Sequence, residues 1–184
     1  DRERTGGIDR VRAETLNDRG VETMSALNRL APEPNLVKQA RGLLEDAAAA
    51  DTTYAVPRNN LGKLAQITLQ DEVAEHEYRA ALMLDPTYAA AWANRAEILE
   101  GKRDSEDAAE EAYRFAIEHD RSDSLEVRQV AANNLGYMLL GQTGRATDAL
   151  TLLEPEVERF PRNLALAKNY GMALLAIGRL QEGE

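Results

Sequence analysis

Apolar residues return at helical spacing through most of this chain, in runs broken by polar, proline or glycine segments. Ile8, Val11, Leu16, Val21, Met24, Leu27 and Leu30 settle into steps of three and four, which predicts a helix from Asp9 to about Leu30, with Gly20 inside it. Residues 1–8 are polar around Gly6-Gly7 and read as a flexible lead-in. Ala31-Pro32-Glu33-Pro34 breaks the first helix, because proline cannot donate inside a helix and restricts the residue before it. Asn35 is the expected cap of a second helix, whose apolar stripe is Leu36, Val37, Ala40, Leu43, Leu44 and Ala47.

Further helices are expected around Pro57 to Ile67, from a cap at Asp71 to Leu84, and over 87–100. Others are expected from Ser105 to His119, over 125–141, through Leu150 to Phe160, and from near Arg162 to Gly178. Val73, Ala74, Tyr78, Ala81 and Leu82 are read as inward on the fourth of these nine helices, and Pro155, within the eighth, should kink it unless the first turn slides. No run alternates like a strand, so the fold class is all-α.

One phrase recurs along these helices. Asn60-Leu61-Gly62 returns as Asn134-Leu135-Gly136 and Asn169-Tyr170-Gly171, with Asn94-Arg95-Ala96 as a variant. The small residues are 34, 40 and 35 positions apart, and each phrase opens one helix that a second follows. The longest step holds a polar insertion, Asp120 to Ser124. Helix pairs at such a period stack into a solenoid, because no pair can bury its apolar face alone. The small residue marks where the second helix of a pair crosses the first closely.

This pattern resembles the tetratricopeptide repeat (TPR) family, which implies a right-handed α-solenoid of antiparallel helix pairs. Residues 55–88 carry the motif without gaps in Leu61, Gly62, Ala74, Tyr78, Ala81 and Pro86. Residues 89–123 supply Trp92, Ala96, Ala109, Tyr113 and Ala116, with one extra turn residue and Arg121 in place of the closing proline. Residues 129–163 supply Leu135, Gly136, Ala149, Leu153 and Pro161, and 164–184 supply Tyr170 and Gly171 before the motif runs out. Residues 9–54 look like a degenerate first pair, with Gly20 at the small position and Leu44 and Ala47 at the inner positions of its second helix.

In such proteins the first helix of each pair, helix A, lines a concave groove. The resemblance therefore implies a row of Asn60, Asn94, Asn134 and Asn169, with Lys63, Glu97, Tyr137 and Met172 three places on along the same face. Asparagine both donates and accepts, as a peptide backbone does. The row is similar to the asparagine ladder with which the superhelix of O-linked N-acetylglucosamine transferase holds peptides. It equally suits a structural role at neighbouring helix ends. The family's lysine- and arginine-rich carboxylate clamp is not matched, since the groove lysines are Lys63 and Lys168, three repeats apart.

Composition narrows the function. The formal charge is −10, from 32 acidic and 22 basic residues, which disfavours nucleic acid and anionic membrane as partners. There are no cysteines, compatible with cytosol or periplasm, and no apolar run approaches the length of a membrane span. With its polar start at Asp1-Arg2-Glu3-Arg4, the chain reads as a piece of something longer. His76 and His119 stand singly, and Glu106, Asp107, Glu110 and Glu111 read as a solvated face rather than a metal site. Arg128 and Arg145 read as surface residues. No catalytic residue, metal ligand or cofactor is assigned. The expected function is a protein-interaction module that holds an extended peptide or partner segment. The alternative is a non-catalytic region of a larger enzyme or assembly protein that positions a substrate or sets a dimer. A third reading pairs two chains through an open C-terminal end exposing Leu166, Leu174, Leu175 and Ile177.

Overall fold

A computed structural model describes residues 2–28, 31–122 and 125–178, with side chains from Asp9 onward. The expectations for the Ile8 side chain, Leu30 and the residues after Gly178 lie outside these. Nine α-helices and no strand occur among the described residues: α1 Arg2–Ser25, α2 Pro34–Ala50, α3 Ala55–Ile67, α4 Asp71–Leu84, α5 Ala89–Glu100, α6 Glu106–His119, α7 Glu126–Gly141, α8 Ala146–Arg159 and α9 Leu164–Ala176. They fall into two compact units, Asp1–Ile98 and Leu99–Glu184, divided near the end of α5.

In the first unit α1 packs on α2, α3 on α4, and α3 also meets α1 and α2. Met24, Leu27, Ala40, Leu44, Leu61 and Leu64 form one buried cluster. Tyr78 packs with Ala65, Ala74 and Ile98 in a second, and Ala55, Ala81 and Ala91 form a third. In the second unit α7 packs on α6, α8 and α9, and α8 packs on α9. Ala131, Leu135, Leu139, Leu153, Leu166 and Leu174 are buried there.

The recurring small residue sits at a close helix crossing. A Cβ placed on Gly62 would lie 2.7 Å from Tyr78 Cδ1, and one on Gly136 would lie 2.7 Å from Leu153 Cδ2. Gly20 stands in the same relation to Leu44, at 2.8 Å, so the degenerate first pair uses the same device. At the corresponding place in α5, Ala96 is fully buried.

Several local readings change. Helix α1 already begins at Arg2, so the backbone of 2–8 is helical rather than a lead-in. Its buried stripe is Ala13, Asn17, Gly20 and Met24, with Leu27 buried just past its end, while Val11 and Val21 are exposed. Val73, read as inward, is also exposed. Helix α2 starts at Pro34, whose fixed φ and missing N–H suit a first turn, and Asn35 lies inside it instead of capping it. Asp71 is likewise the first helical residue of α4. Pro155 lies inside α8, where the sequence places it. Helix α9 starts at Leu164, capped by Asn163, whose side chain accepts from the Ala165 and Leu166 amides at 3.1 and 3.2 Å. Leu166 and Leu174, read as exposed in an open end, are buried, whereas Leu175 is exposed.

Candidate protein-binding face

The asparagines of the A helices bond to one another. In the first unit Asn60 Nδ2 donates to Asn17 Oδ1 at 2.8 Å, and Asn94 Nδ2 donates to Asn59 Oδ1 at 2.8 Å. In the second, Asn169 Nδ2 donates to the Asn133 carbonyl at 3.2 Å and to Asn133 Oδ1 at 3.0 Å, while Asn133 Nδ2 donates to Asn134 Oδ1 at 3.2 Å. Asn17, Asn59, Asn60 and Asn169 are buried, and Asn94 and Asn134 are partly so. Each bond ties one A helix to the next within its unit, apart from the neighbouring pair Asn133–Asn134. A buried amide with a partner avoids the desolvation cost of an orphaned one.

The four residues three places on behave differently. Lys63 and Glu97 are exposed in the first unit, and Tyr137 and Met172 in the second, at 60 % and 38 %. Tyr137 and Met172 share a shallow depression of about 420 Å³ with Met138, Leu140, Gln142, Glu100 and Glu106. Helix α7 supplies most of this lining from its last turns, α5 and α6 the two glutamates, and α9 the methionine. Glu100 is positioned by Tyr113, whose buried phenol donates to Oε2 at 2.9 Å. The Asn-x-x-x phrase marked Tyr137 and Met172 but not Glu100, Glu106 or Gln142. Glu100 could have been found as the residue four places after the small position.

Other polar groups serve the stack. Arg128, read as a surface residue, forks onto Glu156, donating from Nε to Oε2 at 2.9 Å and from Nη2 to Oε1. Its Nη1 donates to the Ile117 carbonyl at 2.9 Å, and its amide to Asp120 Oδ2 at 2.9 Å. Burial alone would raise the Asp120 pKa, but bonds from the Ser122 hydroxyl and amide and the Arg128 amide outweigh it, and the carboxyl sits low. Arg145 holds both oxygens of Glu110, at 2.9 and 3.1 Å, and also Asp148. Bonds from Arg145, and then Arg114, hold the Glu110 carboxyl below its ordinary range despite partial burial. Glu110 is thus an ion-pair member between α6 and Arg145 rather than part of a freely solvated face. His76 is exposed, and His119 stacks on Phe115 with ring centroids 3.8 Å apart. No group of three or more His, Asp or Glu able to hold a metal occurs among the described residues. No helix is long and apolar enough to cross a membrane, again among the described residues.

Neither a protein-family model nor a curated protein matches the chain by sequence. Solved structures do match by shape. The type IV pilus biogenesis factor PilW superposes with a TM-score of 0.73 at 18 % identity, over 93 % of this chain and 72 % of that one. PilF of Pseudomonas aeruginosa gives 0.73 at 18 % identity, over 96 % and 78 %. MamA gives 0.67 at 18 % identity, over 96 % and 87 %. All three are TPR-containing proteins. The chain has the TPR-type α-solenoid fold. At this identity the likeness is one of fold, and it explains why a TPR-like phase of small residues and aromatics runs through the sequence.

Proposed function

We propose that this TPR-like chain is a protein-interaction module whose A helices present the contact residues. Lys63 and Glu97 serve the first unit, and Tyr137 and Met172 the second. Asn60, Asn94 and Asn169 are assigned chiefly to holding the A helices in register, since their amides already donate to the preceding A helix, while Asn134 accepts from the adjacent Asn133. The observation that carries the reading is the exposure of Tyr137 and Met172 together in one depression. An aromatic ring and a thioether left open beside polar rims are suited to a partner's side chains. The biogenesis role of PilW supports a binding function in assembly and leaves the partner unnamed.

Selection of displayed random peptides on the chain, followed by fluorescence anisotropy with the selected sequences, tests this. Tyr137→Ala and Met172→Ala should each weaken binding by roughly tenfold, the loss of one well-packed contact side chain, with helicity unchanged. Equal affinity of both variants and the parent chain would place the contact face elsewhere.

A further inference from the structure

The depression around Tyr137 and Met172 has a sign. Its described lining holds two carboxylates, Glu100 and Glu106, and no lysine, arginine or histidine. Both glutamates are exposed. The Tyr113 phenol at 2.9 Å fixes Glu100 through Oε2, which orients the carboxylate. Glu106 is the first residue of α6. Helix α7 ends at Gly141 within the lining, with no basic residue in its last turn to offset the negative C-terminal end of its dipole. Arg145 donates to Gln142 Oε1 of the lining at 3.2 Å. That guanidinium is already taken up by Glu110 and Asp148.

The same lining also carries an apolar part, the Tyr137 ring and the Met172 thioether. A long aliphatic side chain ending in a cation fits both parts. Its stem covers the apolar part, and its head meets the carboxylates, the helix end and the ring face. At about 420 Å³ the depression suits one or two side chains rather than a folded surface. The chain's formal charge of −10 would draw a basic partner from a distance.

Resting on the proposed reading of the A-helix face, we infer that this depression is a specificity pocket for a lysine or arginine side chain of an extended partner peptide that alternates basic and apolar residues. Glu100 and Glu106 are the charge-reading residues, while Tyr137 and Met172 hold the stem.

The test uses the full chain and three short labelled peptides that alternate leucine with lysine, glutamine or glutamate. Fluorescence anisotropy should rank the lysine peptide first and the glutamate peptide last. In the double variant Glu100→Gln/Glu106→Gln, the side-chain amide oxygen introduced in α5 can still accept from Tyr113. This variant should weaken the lysine peptide roughly tenfold, as expected for lost charge-assisted bonds, and leave the glutamine peptide unchanged. Tyr137→Ala should weaken both. If Tyr137→Ala weakens both peptides while the double glutamine variant changes neither, the A-helix face stands and the basic-residue pocket is overturned. If neither variant alters binding of any peptide, both readings fall. Lysine-peptide binding that vanishes with salt equally in all variants would mean attraction to net charge alone, and would also overturn the pocket.

Discussion

The phenol of Tyr113 on α6 donates to Glu100 at the end of α5, 2.9 Å away, and the same relation recurs one repeat earlier, where Tyr78 donates to Gln66. Gln66 and Glu100 both lie four places after the small residue of their A helix. At the corresponding places of the next repeat stand Leu140 and Leu153, so the acceptor disappears where the hydroxyl does. Burial pushes the Tyr78 hydroxyl well above its ordinary pKa, so it stays a donor. Tyr113→Phe should lower stability by about 1 kcal/mol, the net worth of one such bond. A double-mutant cycle with Glu100→Ala in urea should give a coupling of similar size. Simple additivity of the two changes would show that the bond contributes nothing.

Glycine in this chain has two opposite meanings. At Gly62 a methyl group would enter the Tyr78 ring, and at Gly136 it would enter Leu153, whereas nothing lies within 4 Å of a methyl group at Gly42. Gly62→Ala and Gly136→Ala should therefore each cost about 1–3 kcal/mol through overpacking. Gly42→Ala, inside α2, should stabilise by about 0.5–1 kcal/mol through helix propensity. Urea denaturation of the three variants checks both signs. A stabilised Gly62→Ala protein would contradict the close crossing.

The helix pairs and their small residues were legible because the motif repeats in phase, and a repeated phase averages away local ambiguity. Single positions were less legible. Asn35 looked like a cap, but Pro34 beside it suits the first turn better. Arg128 looked like a surface residue because nothing nearby in sequence marks Glu156, 28 positions on, as its partner. The asparagine row was visible, yet its phase could not say whether each amide meets a neighbouring helix or a ligand. The Glu100–Glu106 rim was missed because its residues come from helices that only folding brings together with α7.

Arg128 and Glu156 form the most buried ion pair among the described ones, with side-chain exposures of 22 % and 3 %. Removing one partner strands the other without compensation. Arg128→Met should cost about 3–5 kcal/mol, while Arg128→Met/Glu156→Leu should recover much of that loss. Thermal denaturation in low and high salt gives the readout, and the pair's contribution should change little with salt because water is largely excluded. A double variant as unstable as Arg128→Met alone would show that the pair has no compensating role.

The first helix pair has an acid-sensitive clasp. Asp51, the C-cap of α2, accepts the Thr53 amide and hydroxyl at 2.9 and 2.6 Å, and also binds Arg10, which lies 4.4 Å over the Tyr54 ring. The Thr53 hydroxyl first, and then Arg10, lower its pKa from 3.8 to about 2. A depressed folded-state pKa gives stability that is fully present above the unfolded value and is lost as pH falls through the folded one. The contribution of Asp51 should therefore fade between pH 3.8 and about 2. Asp51→Asn should be less stable at neutral pH and should show a flatter acid limb over that window. A parallel acid limb in the two proteins would remove Asp51 from the account.

The asparagine bonds and the exposed side chains make separable predictions. Asn169 is buried and donates to Asn133 on the preceding A helix of its unit, whereas Met172, one turn on, is exposed. Asn169→Ala should cost about 1–2 kcal/mol, because the half-buried Asn133 acceptor loses its donor. Its effect on peptide affinity should be small once stability is restored, for example by working at low temperature. Met172→Ala should do the reverse, leaving stability nearly unchanged and weakening peptide binding. Asn94→Ala should behave like Asn169→Ala, because its amide is likewise committed, to Asn59. Measuring urea midpoints and peptide affinities on all three variants separates the roles. Weakened binding by the asparagine variants at unchanged stability would return the asparagines to the ligand and make the row a peptide-holding ladder after all.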